Sequence, residues 1–221
     1  MDESLNTFQA ISAYVPALLL DRVVAGEVRS LEGWQERIDA TVLFADVSGF
    51  TRMSETLARL GREGAEELTR VLNAYFGAMI DIVREYGGFI VKFTGDAMTC
   101  QFPGGASGIE LATRCALAMQ RGMRRFRCVD TKAGAFSLRM KIGISGGPVL
   151  FLSVGRIDRG LEYVLVGPAL DRMVAAEHYA QPDDVVVDGD CPYVSDMIWG
   201  NLGLTSEPVG DGFRRMGWMT D

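Results

Sequence analysis

Apolar residues recur at three- and four-residue intervals through residues 63–86, at Leu68, Val71, Leu72, Tyr75, Phe76, Met79, Ile82, Val83 and Tyr86, and this spacing predicts a long amphipathic helix. Gly87-Gly88 ends it by supplying positive φ without a side-chain clash. A strand pair follows over 89–93 and 97–102, joined through Thr94-Gly95-Asp96, which puts Asp96 at the hairpin tip. In that pair Phe89, Val91 and Phe93 are expected to cover the helices, with Ile90 and Lys92 facing the other way. Earlier in the chain, residues 39–46 are apolar on both faces, Val42 and Phe44 alternating with Leu43 and Ala45, so this strand is expected to be central in its sheet.

Beyond the hairpin, a second helix is predicted over 106–126. Leu138, Met140, Ile142 and Ile144 then alternate with Arg139, Lys141, Gly143 and Ser145, as in a half-buried strand. A strand at 161–166, a helix at 168–180 and a strand at 184–188 complete the order. This succession describes an α+β fold: a ferredoxin-like, antiparallel-rich sheet with helices on one face and an added strand pair. Residues 1–37 read as an N-terminal helical extension with Ile11, Tyr14, Val15, Leu18, Leu19 and Val23 at helical spacing and Trp34 near its end. Residues 38–190 form the principal domain, and 191–221 a C-terminal extension with weak strands around 204–218.

Composition narrows the function classes. A formal net charge of -7 and a pI near 4.9 argue against sequence-independent binding to nucleic acid. The local run Arg121, Arg124, Arg125 and Arg127 reads as a solvated helix face. Four cysteines, at 100, 115, 128 and 191, show neither a CxxC pair nor zinc-like spacing, which fits a reduced, cytoplasmic protein. The start lacks a basic leader-like region. The aliphatic stretch at 15–20 contains Pro16 and is too short to span a bilayer, so a soluble chain is expected. His178, the single histidine, cannot anchor a His-rich metal cluster, and the eleven methionines are expected to fill core gaps.

Two segments carry candidate chemistry: Val42-Leu-Phe-Ala-Asp-Val-Ser-Gly-Phe-Thr51 and Lys92-Phe-Thr-Gly-Asp96. On its strand Asp46 shares a face with Val42 and Phe44, so a charge arrives where an apolar residue is expected. An aspartate that caps the next helix fits the same position. Two carboxylates about 4 Å apart in a partly screened site repel by roughly 4 kcal/mol, so a divalent cation or a shared proton is needed if Asp46 and Asp96 meet. Magnesium suits such hard oxygen ligands. Ser48-Gly49-Phe50-Thr51 opens a helix whose free N–H groups are a natural seat for phosphate oxygens. Lys92 and Lys141 lie on polar strand faces, where they are either solubilising lysines or point charges for phosphate.

Phe44-Ala-Asp-Val-Ser-Gly-Phe-Thr51, Gly87-Gly-Phe-Ile-Val-Lys-Phe-Thr-Gly-Asp96 and Lys141-Ile-Gly-Ile-Ser-Gly-Gly-Pro148 occur in order, and together they resemble the class III adenylyl and guanylyl cyclase catalytic domain over roughly residues 38–190. The resemblance implies that Asp46 and Asp96, with the Val47 carbonyl, hold two Mg²⁺ or Mn²⁺ ions. It also implies that the backbone of Ser48, Gly49, Phe50 and Thr51, with Lys141, holds the triphosphate of ATP, or of GTP as the alternative. Cyclisation then expels pyrophosphate.

The resemblance is incomplete. On the helix after Gly167 the family carries an Asn and, four residues later, an Arg that stabilise the transition state; here these are Asp171 and Ala175. Its base-reading position after the strand tyrosine is Val164. Metal aspartates without these partners resemble the first, C1-type half of a tandem cyclase. A second class III cyclase domain, in tandem or as a heterodimer, would then complete the site. The wording around Asp46 and Asp171 is most similar to soluble, bicarbonate-responsive adenylyl cyclases, in which the lysine corresponding to Lys92 lies in the second, degenerate site. The arginine expected with it is Val174. The competing expectation is a catalytically silent regulatory module of the same fold that binds a nucleotide or small anion.

Overall fold

The computed structural model describes residues 22–26, 30–156, 158–195, 199–200 and 203–218. Its elements are β1 (Gln35–Ser48), α1 (Phe50–Ala58), α2 (Arg62–Glu85), β2 (Phe89–Thr94), β3 (Ala97–Pro103), α3 (Gly105–Met123), β4 (Val129–Thr131), β5 (Gly134–Phe136), β6 (Arg139–Arg156), β7 (Gly160–Val166), α4 (Pro168–Tyr179), β8 (Val185–Asp188), β9 (Leu204–Gly210) and β10 (Phe213–Trp218). The main sheet runs β2-β3-β1-β6-β8-β10-β9, with β7 also on β6. Its pairings are antiparallel except β6 with β8. The α+β, antiparallel-rich plan is therefore the one that the hydrophobic pattern implies.

β1 and β6 form the spine. They pair from Gln35 opposite Leu152 to Ser48 opposite Arg139, and both run longer than alternation alone suggests. On the edge away from β1, β6 pairs with β8 at residues 142–144 and with β7 at residues 150–156, so both of its ends are held in the sheet. β4 and β5, absent from the expected order, form a separate short hairpin. Of the expected N-terminal helical extension over 1–37, residues 1–21 and 27–29 lie outside the described residues, and from Gln35 the chain is strand β1, not helix. Trp34 packs edge-on to Phe151 with ring centroids 5.5 Å apart, immediately before β1 begins.

Alternation along the spine makes two unlike faces. Leu43, Ala45 and Val47 of β1 and Met140, Ile142 and Ile144 of β6 join a core with Met53 and Leu57 of α1, Val71, Tyr75, Met79 and Val83 of α2, and Ile109, Cys115 and Met119 of α3. The two long helices thus share one face, as expected, whereas α4, expected on that face with them, does not. α4 packs on the other face, where Ala40, Val42, Val149 and Phe151 meet Ala169 and Met173. Gly143 permits this approach, because a Cβ there would collide with the backbone of Met173 and Glu177.

One expectation about side-chain direction is corrected. A register shift between Ile90 and Lys92 gives β2 an extra residue at Val91. Ile90 packs into the helix-side core, Val91 packs against the opposite one, and Phe93 meets Phe76 of α2 edge-on at 4.8 Å. Strict alternation fails because a bulge sets two residues of one strand against one of its partner. Lys92 still lies on the face away from the long helices, opposite Thr99, which itself pairs with Phe44.

Candidate functional site

Asp46 sits at the last turn of the pleat in β1, on the α4 face beyond Val42 and Phe44, and its Cα partner across the ladder is Lys141. β1 also pairs with β3 as far as Ala45 opposite Met98. One step further brings Asp46 level with Ala97, the residue after Asp96. The β2–β3 hairpin closes with Thr94 opposite Ala97, and Gly95, at φ 66°, supplies the left-handed residue that so tight a turn requires. Helix α2 braces the turn, since the Tyr75 hydroxyl donates to the Asp96 carbonyl at 3.3 Å.

Electrostatics tie the two acids together. Burial raises the Asp96 carboxyl above the usual carboxylate range; a hydrogen bond from its own backbone opposes this, and the Asp46 charge adds to the rise. Burial likewise pushes the Tyr75 phenol far above its ordinary value, with the Asp96 charge adding to the effect. The only described cation close to Asp46 is Lys141, whose Nζ lies 3.8 Å from Oδ2. That ammonium is ion-paired with Glu177 of α4, a side chain 6% exposed.

The helix start next to Asp46 has the form expected of an anion seat. α1 begins at Phe50 after Gly49, whose φ is 94° and whose position excludes a Cβ because the Ser137 carbonyl stands in the way. No side chain caps this end, so the first-turn N–H groups remain available. The side chains of Val47 and Phe50 turn into the helix-side core, which leaves their backbone groups as what they offer a ligand. Ser48 pairs across the ladder with Arg139, and Thr51 is exposed.

The fold thus gathers Asp46, Asp96, Lys141 and the 48–51 turn at one end of the sheet. Lys92 stands apart: it is exposed on β2, two strands from Phe44, and among the described residues no ion pair links it to Asp46. On α4, Asp171 is exposed, and Ala175 packs toward Val186 and Phe213. Val164 is half-buried on β7 opposite Leu152. Among the described residues no cluster of three or more His, Cys, Asp or Glu is arranged for a metal. A cation at Asp46 and Asp96 would therefore complete its shell from backbone carbonyl, water and phosphate, the habit of magnesium. Two carboxylates of one site, one held toward its neutral form by burial and by the other, fit such an ion.

Two contributors escape a sequence reading. Tyr75 looks like one more apolar position of its helix stripe. Glu177 carries a clearer signal, an acid four residues after buried Met173 and next to buried Ala176, where the stripe calls for an apolar side chain.

The chain is 29% identical over 187 residues to adenylate cyclase type 10 of Rattus norvegicus, covering 82% of this chain and 11% of that protein. It is 29% identical over 171 residues to an adenylate cyclase of Anabaena cylindrica, covering 75% of this chain and 32% of that protein. It therefore spans about a tenth of the first relative and about a third of the second. Among solved structures, the guanylyl cyclase Cya2 superposes with a TM-score of 0.57 at 26% identity, over 84% of this chain and 91% of that one. The adenylyl cyclase CyaB from P. aeruginosa shares the fold, with a TM-score of 0.63 at 23% identity over 83% of this chain and 96% of that one. With residues 34–191 matching the model of the adenylate and guanylate cyclase catalytic domain, across the strands and turns that carry Asp46, Asp96 and Lys141, this chain belongs to that family.

Proposed function

We propose that this domain converts ATP to cyclic AMP and pyrophosphate, with GTP as the alternative substrate, and that it supplies the metal-binding half of a composite site completed by a second cyclase domain. One observation carries the reading. The carboxylates of Asp46 and Asp96 stand at adjoining strand ends beside an uncapped helix start, while α4 presents Asp171 and Ala175 where an amide and a guanidinium would be needed.

In this reading Asp46, Asp96 and the Val47 carbonyl hold two Mg²⁺ or Mn²⁺ ions. Bound there, the ions supply activation of the ribose 3′-hydroxyl and charge neutralisation for the triphosphate. The chain's own residues bind and orient. The 48–51 backbone offers N–H donors to phosphate oxygens, and Lys141 adds a point charge. Lys92, exposed on the same sheet face, is available to an anion outside the Asp46 cluster. Tyr75 keeps the turn of Asp96 in place by its bond to the backbone. Ala175 has no donor and Val164 no hydrogen-bonding group, so transition-state stabilisation and base reading fall to the partner domain. Absence of one such donor typically costs about 10²- to 10³-fold in rate, which makes the isolated chain a weak enzyme.

The test is reconstitution. The purified chain is assayed for cyclic AMP and cyclic GMP with Mg²⁺ or Mn²⁺, alone and mixed with a cyclase domain that carries the Asn and Arg but lacks the metal aspartates. Activity in the mixture that disappears with Asp46→Ala is the expected result. Full activity of the chain alone, or of the Asp46→Ala mixture, overturns the composite-site reading. The substitutions at Val164, Asp171 and Ala175 also favour a second reading, a silent regulatory module. Metal-dependent nucleotide binding without turnover in any mixture would support it. The four unbridged thiols favour a reducing, cytoplasmic setting for either. No described helix is long and apolar enough to cross a membrane.

A further inference from the structure

Lys141 has two acidic neighbours with unequal hold on it. Its ammonium is ion-paired with Glu177, whose side chain is 6% exposed, and lies 3.8 Å from Asp46, whose side chain is 34% exposed. A carboxylate as enclosed as Glu177 requires a cation beside it, whereas Asp46 still has water. The other described basic side chain within ion-pair distance of Glu177 is His178, 3.9 Å away, 73% exposed and charged only when protonated, which makes it a poor substitute. Nor can Glu177 be shifted cheaply, because α4 is seated against Gly143 with no room for a Cβ between Gly143 and the Met173 and Glu177 backbone. Lys141, in contrast, has a flexible four-carbon stem and starts directly across the ladder from Asp46.

We infer that Glu177 is a positioning residue that holds the Lys141 ammonium off Asp46, so that Asp46 keeps a free oxygen for a divalent cation. This rests on the reading of Asp46 as a metal ligand. Once Glu177 loses its charge, Asp46 is the carboxylate left within reach of Lys141. The ammonium then closes on it and competes with the metal. The tether thus does two things: it satisfies a buried acid, and it keeps an internal cation next to the site without letting that cation occupy it.

The experiment is a titration of the full chain with Mn²⁺ alone, following the electron paramagnetic resonance signal of free Mn²⁺. Asp46→Asn defines the part of the binding that belongs to this site. Glu177→Gln is expected to weaken that part by about fivefold, the scale of one unit charge about 4 Å away and screened as in bulk water. Lys141→Met/Glu177→Gln, which removes the rival cation as well, is expected to return affinity to the unsubstituted value or above it. Glu177→Asp keeps the charge but shortens the reach by one methylene. A mere field effect leaves its affinity unchanged, whereas positioning predicts a loss of a few-fold. Circular dichroism establishes that each variant is folded, and if Glu177→Gln is not, Glu177→Asp carries the test. Asp46-dependent Mn²⁺ binding that the Glu177 variants leave unchanged overturns this inference alone. Mn²⁺ binding that does not depend on Asp46 overturns the metal-ligand reading and the inference with it.

Discussion

The two faces of the β1–β6 pair are made of alternate residues of the same strands, yet one is core along its length while the other is core at one end and a candidate site at the other. On the helix side Leu43, Ala45, Met140, Ile142 and Ile144 have no exposed surface, and Val47 is 5% exposed. On the opposite side Phe44, Asp46 and Lys141 are half-buried, and α4 covers only part of the strands. Full coverage by α1, α2 and α3 excludes charged side chains, because an ion there would lose its hydration. Partial coverage lets carboxylates and an ammonium keep some water while burying them enough to make their charges felt. The degree of helix coverage, more than the composition of the strands, separates packing from chemistry.

The largest effect that would sharpen this contrast is a matched truncation of neighbouring residues. Leu43→Ala is expected to cost roughly 3–5 kcal/mol and Phe44→Ala roughly 1–2 kcal/mol, read from urea unfolding at constant m. Equal losses would mean that the two faces are packed alike. A smaller effect is expected from filling the one gap that lets α4 approach. Gly143→Ala should destabilise by about 2 kcal/mol, since helix backbone, not a movable side chain, occupies the space. An unchanged midpoint would show that α4 is free to ride outward.

The smallest effect compares two carboxylates by their pH dependence. Asp96 has its folded pKa raised, so its contribution to stability is present at low pH and declines as pH rises from the ordinary carboxylate range through the folded value. Asp183 has its pKa lowered, chiefly by a hydrogen bond from Arg139, so its contribution is present above that range and is lost as pH falls. The stability of Asp96→Asn relative to the unsubstituted chain should therefore increase on going from about pH 4 to neutral, whereas that of Asp183→Asn should decrease as pH rises from about 2 to about 4, so the interval from about pH 2 to neutral covers both. Thermal melts across this interval decide it, and slopes of the same sign would contradict the opposite environments of the two acids.

Much of this arrangement was legible before any fold. The helix stripe ending at Gly87-Gly88, the hairpin with Asp96 at its tip and the two-sided apolar strand of Val42 to Ala45 are local patterns, and local patterns set helix, turn and strand. Even the reach of α4 had a trace, in Gly143 amid a strand of larger residues. The direction of Val91 had none, because a bulge depends on how β2 is pulled by two cores at once. The β4–β5 hairpin was missed for a similar reason, since strands of three residues are too short to display a period.

By itself the sequence determined which residues share a face and which acids stand at strand ends, because side-chain direction repeats every two residues in a strand and every three to four in a helix. Only the tertiary structure decided that α4 lies on the Asp46 face, that Tyr75 supports the turn of Asp96, and that Lys141 answers first to Glu177, an acid 36 positions further along the chain. Those outcomes depend on burial and on distances between segments remote in sequence. An ion chooses its partner by desolvation and reach, and no periodicity encodes either.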